Sequence, residues 1–478
     1  MKNSKWYKKK RFYFFGFLIT YLIIFTYHQY KSLPEGISII SAEHRAGSVE
    51  FYRDLTYEEN GERVLDHQIY DRVYEMVDEA ENFIVMDIFM MDGRVSEEKG
   101  YPDLAGNLME KIIRKKSEHP DMPIIFITDP YNTGYGSYEG KWLHPMADAG
   151  VDVIVTDLAD LRDSTPIYST IWRMGPMHLG KSSNGWLPNP FVEGGPDMTI
   201  RSFLDLANIK ANHRKVVITD QSAMVMSANA HDESGFHNNV GYEVTGPIIE
   251  DMLRAEEAVA KMSGSDVEFP HYQITEDYTG SDLKVAYSTE GKTKLQVISA
   301  IQNTDEDDDI WLAMYYLSEP EIIDELVEAA NREVNVSIVL DPNETAFGNK
   351  KTGLPNRPVV NEMVENSNEK INIRWYNVGV EQFHPKMMFV RTDEMSKIIS
   401  GSTNFTMRNM RDYNLESAII VSGPHDAQVM KDTEAYFQQM WNNEGAEYTL
   451  PLEKYQDTLS FWQRGVYWMQ KTLKLTTY

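Results

Sequence analysis

One strand–helix–strand order is written twice along this chain, and that repetition limits the folds open to it more than any other feature. In the first statement Ile69, Val73, Met76, Val77 and Ala80 share one helical face. An apolar strand follows at 83–91, then a helix near 104–115, a strand at Ile124–Thr128 ending in Asp129-Pro130, and a strand at 151–156. In the second, a strand at 310–317 precedes a helix whose apolar face is Ile322, Ile323, Leu326, Val327 and Ala330. A strand at 334–340 then ends in Asp341-Pro342, and 371–376 reads as another strand. Strands alternating with helices predict a mixed α/β architecture with parallel pairs. The matching order predicts an internal duplication joined around 264–282, where Gly, Ser, Asp and Thr accumulate. The expected division is 1–34, 35–270 and 271–478.

Chemistry repeats inside the repeat. The first half reads Asn212-His213-Arg214-Lys215 into an apolar run that ends at Asp220, followed by Ser227-Ala228-Asn229. The second reads Phe383-His384-Pro385-Lys386 into an apolar run, followed by Gly401-Ser402-Thr403-Asn404. Residues two apart on a strand point to one face, so His and Lys share a face, as do Ser and Asn. A hairpin brings all four to one end of a sheet. His213 to Ser227 spans 14 residues and His384 to Ser402 spans 18; the extra four fall in the polar stretch 391–396. Downstream, Glu243 and Glu416 place a carboxylate at a similar position in each half.

A lone His-x-Lys is usually a solvated strand face; two whole constellations at matching places are not. A neutral imidazole, with an ordinary pKa of about 6.5, is a competent nucleophile toward phosphorus. Two facing histidines divide the work, one attacking and one protonating the leaving oxygen. Lys215, Lys386, Asn229 and Asn404 would supply fixed donors for charge on the nonbridging oxygens, with Ser227 and Ser402 as hydroxyl donors. Glu243 and Glu416 would accept from the second nitrogen of each imidazole. The arrangement requires no metal and no cofactor.

At these residues the sequence resembles the phospholipase D superfamily, whose mark is two copies of His-x-Lys-x4-Asp with Gly-Ser-x-Asn downstream. The likeness covers most of 40–445. It implies two duplicated α/β/α domains packed as a pseudo-twofold pair around one shared site. It also implies that His213 forms a phosphohistidine and that His384 acts as general acid, then as base for an incoming alcohol or water. Asp220 matches the motif, whereas Arg391 stands where the second copy has aspartate and Asp393 is the nearest acid. Met226 replaces the glycine before the first Ser-x-Asn.

Charge and hydropathy narrow the substrate. The segment 1–31 holds seven of the 46 Lys and Arg residues and no acid, which leaves 39 bases against 73 acids in the rest, a net −34. Such a body is a poor polyphosphate binder, so nucleic acid is not an expected partner. Phe12 to Tyr27 carries no charge and the uncharged stretch runs on to Tyr30, just long enough for a membrane span. A cleaved signal peptide has the same basic-then-apolar order. No small-x-small site follows Tyr27, which favours an uncleaved anchor with the basic flank cytoplasmic and the body outside. The absence of cysteine excludes disulfides, thiolate zinc sites and cysteine nucleophiles.

From Val151 to His213 is 62 residues but from Ile371 to His384 only 13, so the first half carries about 49 extra, near 157–206. This insertion holds Ile167, Tyr168, Ile171, Trp172, Met174, Met177, Leu179, Trp186, Leu187 and Phe191. It either grips acyl chains at the interface or packs as a lid. The stretch 461–475 reads as an interfacial or a docked terminal helix. His178, His231 and the acidic run 305–309 read as inert, and Asp129 and Asp341 as matching strand-end turns. The expected activity is hydrolysis or transfer of a phospholipid headgroup at the cell membrane. Alternatives are a cardiolipin synthase-type phosphatidyltransferase, an exported metal-independent nuclease and a binding protein that kept the scaffold.

Overall fold

A computed structural model describes residues 3–94, 100–180, 182–190, 195–274, 278–346, 349–350, 353–456 and 465. The stretch 461–475, save Gly465, and Phe191 lie outside the described residues.

The apolar runs Val216-Val217-Ile218 and Met387-Met388-Phe389-Val390 are buried on both faces, which only interior strands allow. Each becomes the middle of a large mixed sheet. The first sheet has eight strands in the order Glu62–His67, Val49–Glu59, Asn239–Val244, Ala223–Met226, Lys215–Thr219, Ile84–Ile88, Ile124–Thr128 and Asp152–Val155. The second has nine, in the order His44–Arg45, Lys284–Thr289, Ser417–Gly423, Ser396–Gly401, Lys386–Arg391, Asp309–Met314, Asn335–Leu340, Asn372–Tyr376 and Thr449–Pro451. From Asn239–Val244 to Asp152–Val155 the first order matches the second strand for strand, with the same parallel and antiparallel senses. This is the duplicated α/β architecture expected from the repeat.

Alternation along the strands builds three core layers. Val216, Ile218 and Val225 of the first sheet share a central core with Met387, Phe389, Ile398 and Ile419 of the second, together with helices Ile248–Met262 and Gln428–Asn442. Val217, Met224 and Met226 face the other way, onto helices Ile69–Glu79 and Leu104–Glu118. Met388 and Val390 face helices Gly291–Gln302 and Pro320–Asn331. Between Met262 and Lys284 the described residues hold no helix or strand.

The halves also join backbone to backbone. His213 N–H donates to the Leu415 carbonyl at 2.9 Å, and His384 N–H donates to the Asn238 carbonyl at 2.9 Å. The segment that introduces each histidine is therefore held by the opposite half. At the N-terminus a helix spans Asn3–Tyr30, and its Lys9–Tyr30 portion is long and apolar enough to cross a bilayer.

Candidate active site

Each His-x-Lys ends a loop and begins a strand, and each strand pairs with its hairpin partner so that the Ser-x-Asn residues return beside it. Val216 lies opposite Val225 and Met387 opposite Ser400. The cross-half bridges then bring the two hairpin ends together. Lys215 Nζ donates to the His213 carbonyl at 2.8 Å and Lys386 Nζ to the His384 carbonyl at 2.7 Å. Phe89 lies 5.0 Å from the His213 ring and Tyr315 lies 5.1 Å from the His384 ring, centroid to centroid. The same two rings sit under Lys215 and Lys386, at 4.9 and 5.2 Å.

The histidines differ in their partners. His213 Nδ1 lies 3.0 Å from Glu416 Oε2, whereas His384 Nδ1 lies 3.1 Å from Asn239 Oδ1. Ser402 Oγ donates to Glu416 at 2.6 Å and Ser227 Oγ to Asn239 at 3.1 Å. Ser417 N–H donates to Ser402 Oγ and Val240 N–H to Ser227 Oγ, so Asn239 occupies the place in the first half that Glu416 occupies in the second. One site thus pairs an imidazole with a carboxylate and the other with an amide.

Three sequence expectations need correction. Glu243 does not reach an imidazole. It lies four residues along its strand from Asn239, roughly 13 Å away at the rise of a β-strand, opposite Met224, and is ion-paired to Arg72 at 2.8 Å. Asp220 lies at the far end of its strand from Lys215, where it accepts from the backbone N–H groups of Glu81 and Asn82 at 2.9 and 3.0 Å. It fixes a turn and takes no part in the site. The hydroxyls of Ser227 and Ser402 are spent on Asn239 and Glu416, so they orient the groups behind the imidazoles. Asn229 and Asn404 are both buried, and among the described residues the side-chain oxygen of each accepts no hydrogen bond.

Asp129 and Asp341 matter more than strand-end turns do. Asp129 Oδ2 accepts from Asn212 N–H at 2.7 Å and Oδ1 from Tyr131 N–H at 2.7 Å. Asp341 Oδ2 accepts from Phe383 N–H at 2.8 Å and Oδ1 from Asn343 N–H at 2.6 Å. Each carboxyl therefore fixes the residue just before a histidine, and burial pushes both up to about 7. The Asp-Pro repeat was the visible signal, but only the loop geometry assigns it this task. Asp129→Asn cannot accept both N–H groups, so it is expected to shift His213 and lower kcat by about 10²-fold, the cost of a misplacement near 1 Å. Steady-state kinetics with an unchanged far-UV CD spectrum checks this; unchanged kcat would contradict it.

Electrostatically the site is short of an anion. Burial lowers His213 to about 4, with Lys215 and Lys386 adding to the effect against Glu416. Burial, then Lys386, His237, Lys215 and His213, hold His384 well below its ordinary value. Lys215 is driven down to about 7 by burial, and Lys386 well below the usual lysine range by burial and Lys215. Burial opposes ionisation of Glu416, yet His213, Lys215 and the Ser402 hydroxyl keep it below the ordinary carboxylate value. An entering phosphodiester reverses the repulsion among these groups. The sign follows: lysines lowered in the free protein rise in the complex, so binding takes up protons. Tungstate binding is expected to take up about one proton at about pH 8, measured by titration calorimetry in two buffers of different ionisation enthalpy. Equal apparent enthalpies would refute it.

Residues 297–441 match the family model described as "Cardiolipin synthase, PLD-like domain". That span contains His384, Lys386, Ser402, Asn404 and Glu416. The fold is similar to phosphatidylserine synthase from Haemophilus influenzae Rd KW20, at TM-score 0.54 and 11% identity over 92% of this chain and 94% of that one. Polyphosphate kinase from Porphyromonas gingivalis matches at TM-score 0.45 and 9% identity, over 90% of this chain and 56% of that one. Nuc from Salmonella typhimurium, a phospholipase D family member, matches at TM-score 0.27 and 26% identity, over 34% and 93%. No curated protein matches the chain.

Proposed function

The chain belongs to the phospholipase D superfamily of phosphodiesterases and phosphatidyltransferases, and on that premise we propose that it hydrolyses or transfers a phospholipid headgroup through a phosphohistidine. His213 Nε2 attacks phosphorus while its Nδ1 keeps its proton and donates a hydrogen bond to the Glu416 carboxylate. The P–O bond to the headgroup breaks, and that oxygen takes a proton from His384 Nε2. An alcohol or water then loses its proton to His384 and attacks phosphorus, and the P–N bond breaks to return neutral His213. Lys215, Lys386, Asn229 and Asn404 face the nonbridging oxygens.

The unequal pairing of the histidines carries this division of roles. A phosphorylated imidazole that keeps its Nδ1 proton is a cation, and the Glu416 carboxylate offsets that charge. The Asn239 amide orients His384 without adding charge, so protonated His384 remains the stronger acid. The apolar helix Asn3–Tyr30 supports anchoring at a bilayer, with its basic end inside and the acidic body outside.

The test supplies the purified full chain with labelled phosphatidylcholine, phosphatidylglycerol and DNA, with and without a primary alcohol. Phosphatidyl-alcohol formation is expected. Transfer from one phosphatidylglycerol to another would identify the cardiolipin-forming variant of this chemistry. Nucleotide release alone would overturn the lipid reading.

A further inference from the structure

The first-half insertion begins against the apolar N-terminal helix. Its own helix, Pro166–Met174, packs against that helix. At one level the Tyr21 hydroxyl donates to the Ile167 carbonyl at 3.1 Å. At the other, Gln29 Nε2 donates to the Asp163 carbonyl at 2.7 Å, and Lys31 Nζ and Arg173 Nη2 both donate to the Ala159 carbonyl. Tyr21 lies nine residues before the end of its helix, about 13 Å along the axis. A bilayer core is about 30 Å thick, so a helix level with Tyr21 lies well inside one leaflet if Asn3–Tyr30 spans.

We infer that Pro166–Met174 is a membrane wedge, seated in the same leaflet as the outward half of the N-terminal helix, with lipid as its partner. The inference rests on reading Asn3–Tyr30 as a membrane segment. The composition of the wedge fits lipid. From Pro166 to Trp172 there is no charged residue, and Ile167 and Ile171, one turn apart, are 53% and 52% exposed. Its polar groups are satisfied internally, as a bilayer demands: Thr170 Oγ1 donates to the Pro166 carbonyl and Tyr168 Oη to the Leu204 carbonyl. The charges flanking it lie at the level of the helix end and are paired, Arg173 with Asp163 at 2.7 Å and Lys210 with Asp163 at 2.8 Å. The wedge also connects to the site. Ser164 Oγ and Arg408 Nη1 both donate to the Ile209 carbonyl, four residues before His213. A lipid drawn up along the wedge would bring its headgroup to the paired histidines.

A chain without cysteine permits a direct test. Single variants I167C, I171C, L18C and L295C of the full chain, each carrying an environment-sensitive fluorophore, are reconstituted in phosphatidylethanolamine–phosphatidylglycerol vesicles. Leu295 is 56% exposed on the helix Gly291–Gln302 of the second half. The expected result is blue-shifted emission and several-fold protection from iodide at 167 and 171, close to that at 18, with 295 freely quenched. Protection at 18 with free quenching at 167 and 171 would overturn the wedge alone. Free quenching at 18 as well would overturn the anchor and the wedge together.

Discussion

His213→Ala is expected to lower phospholipid turnover by about 10⁶-fold, the scale on which removal of a catalytic nucleophile acts. No neighbouring group replaces it: Lys215 and Lys386 donate to backbone carbonyls, and the Ser227 and Ser402 hydroxyls are held on Asn239 and Glu416. His384→Ala should behave differently. The loss of its proton costs about 10²–10⁴-fold with a natural headgroup, but much less with a p-nitrophenyl phosphodiester, whose leaving group needs no proton. Rescue of His213→Ala by the activated substrate would reverse the two roles. The same kinetics separates Glu416 from Asn239. Glu416→Gln removes the charge that offsets the phosphoimidazolium and should slow formation of the intermediate. Asn239→Asp raises the pKa of His384 and should move the pH profile of kcat.

Arg214→Ala is expected to cost about 3–5 kcal/mol of stability, the range for breaking a buried ion pair by removing one partner. The residue between His213 and Lys215 is completely buried, and its guanidinium meets Glu256 at 3.2 Å and Glu290 at 2.6 Å, both also inaccessible. Glu290 comes from the second half, and its Oε1 also accepts from the Glu416 N–H at 3.1 Å. Burial raises the pKa of Asp87, which accepts from Asn212 Nδ2, and Glu256 raises it further. Removing the cation leaves three carboxyl groups buried beside both histidine segments. Arg214→Lys keeps charge but loses the fork that spans both glutamates, so it should fall between the two. Thermal denaturation followed by CD decides this; a melting temperature within a degree of the wild type for Arg214→Ala would contradict it.

The strand–helix order and the paired His-x-Lys were legible because they are local: periodicity sets the elements, and a spacing of two sets a shared face. The groups behind the two imidazoles were not legible. Asn239 and Glu416 correspond through the Ser227–Val240 and Ser402–Ser417 ladders, which join segments of unequal separation. Aligning glutamate with glutamate therefore misplaced the pair by four residues, onto Glu243. Asp220 matched a motif spacing, but a strand carries it away from its lysine toward the Glu81 turn. Asp129 and Asp341 were visible as a repeated Asp-Pro, yet their acceptor role depends on loops that return from 83 and 42 residues away. The packing of the insertion helix beside the N-terminal helix joins residues more than 130 apart, so the two readings of the insertion stayed open.

The central claim is a covalent phosphohistidine on His213, and trapping tests it most directly. Wild type, His213→Ala and His384→Ala are mixed with phospholipid labelled at phosphorus, quenched within the first turnover and digested. Label is expected on the peptide containing His213 in the wild type, to persist or accumulate in His384→Ala with an activated substrate, and to be absent from His213→Ala. Turnover by His213→Ala, or label on the His384 peptide in its place, would contradict the account.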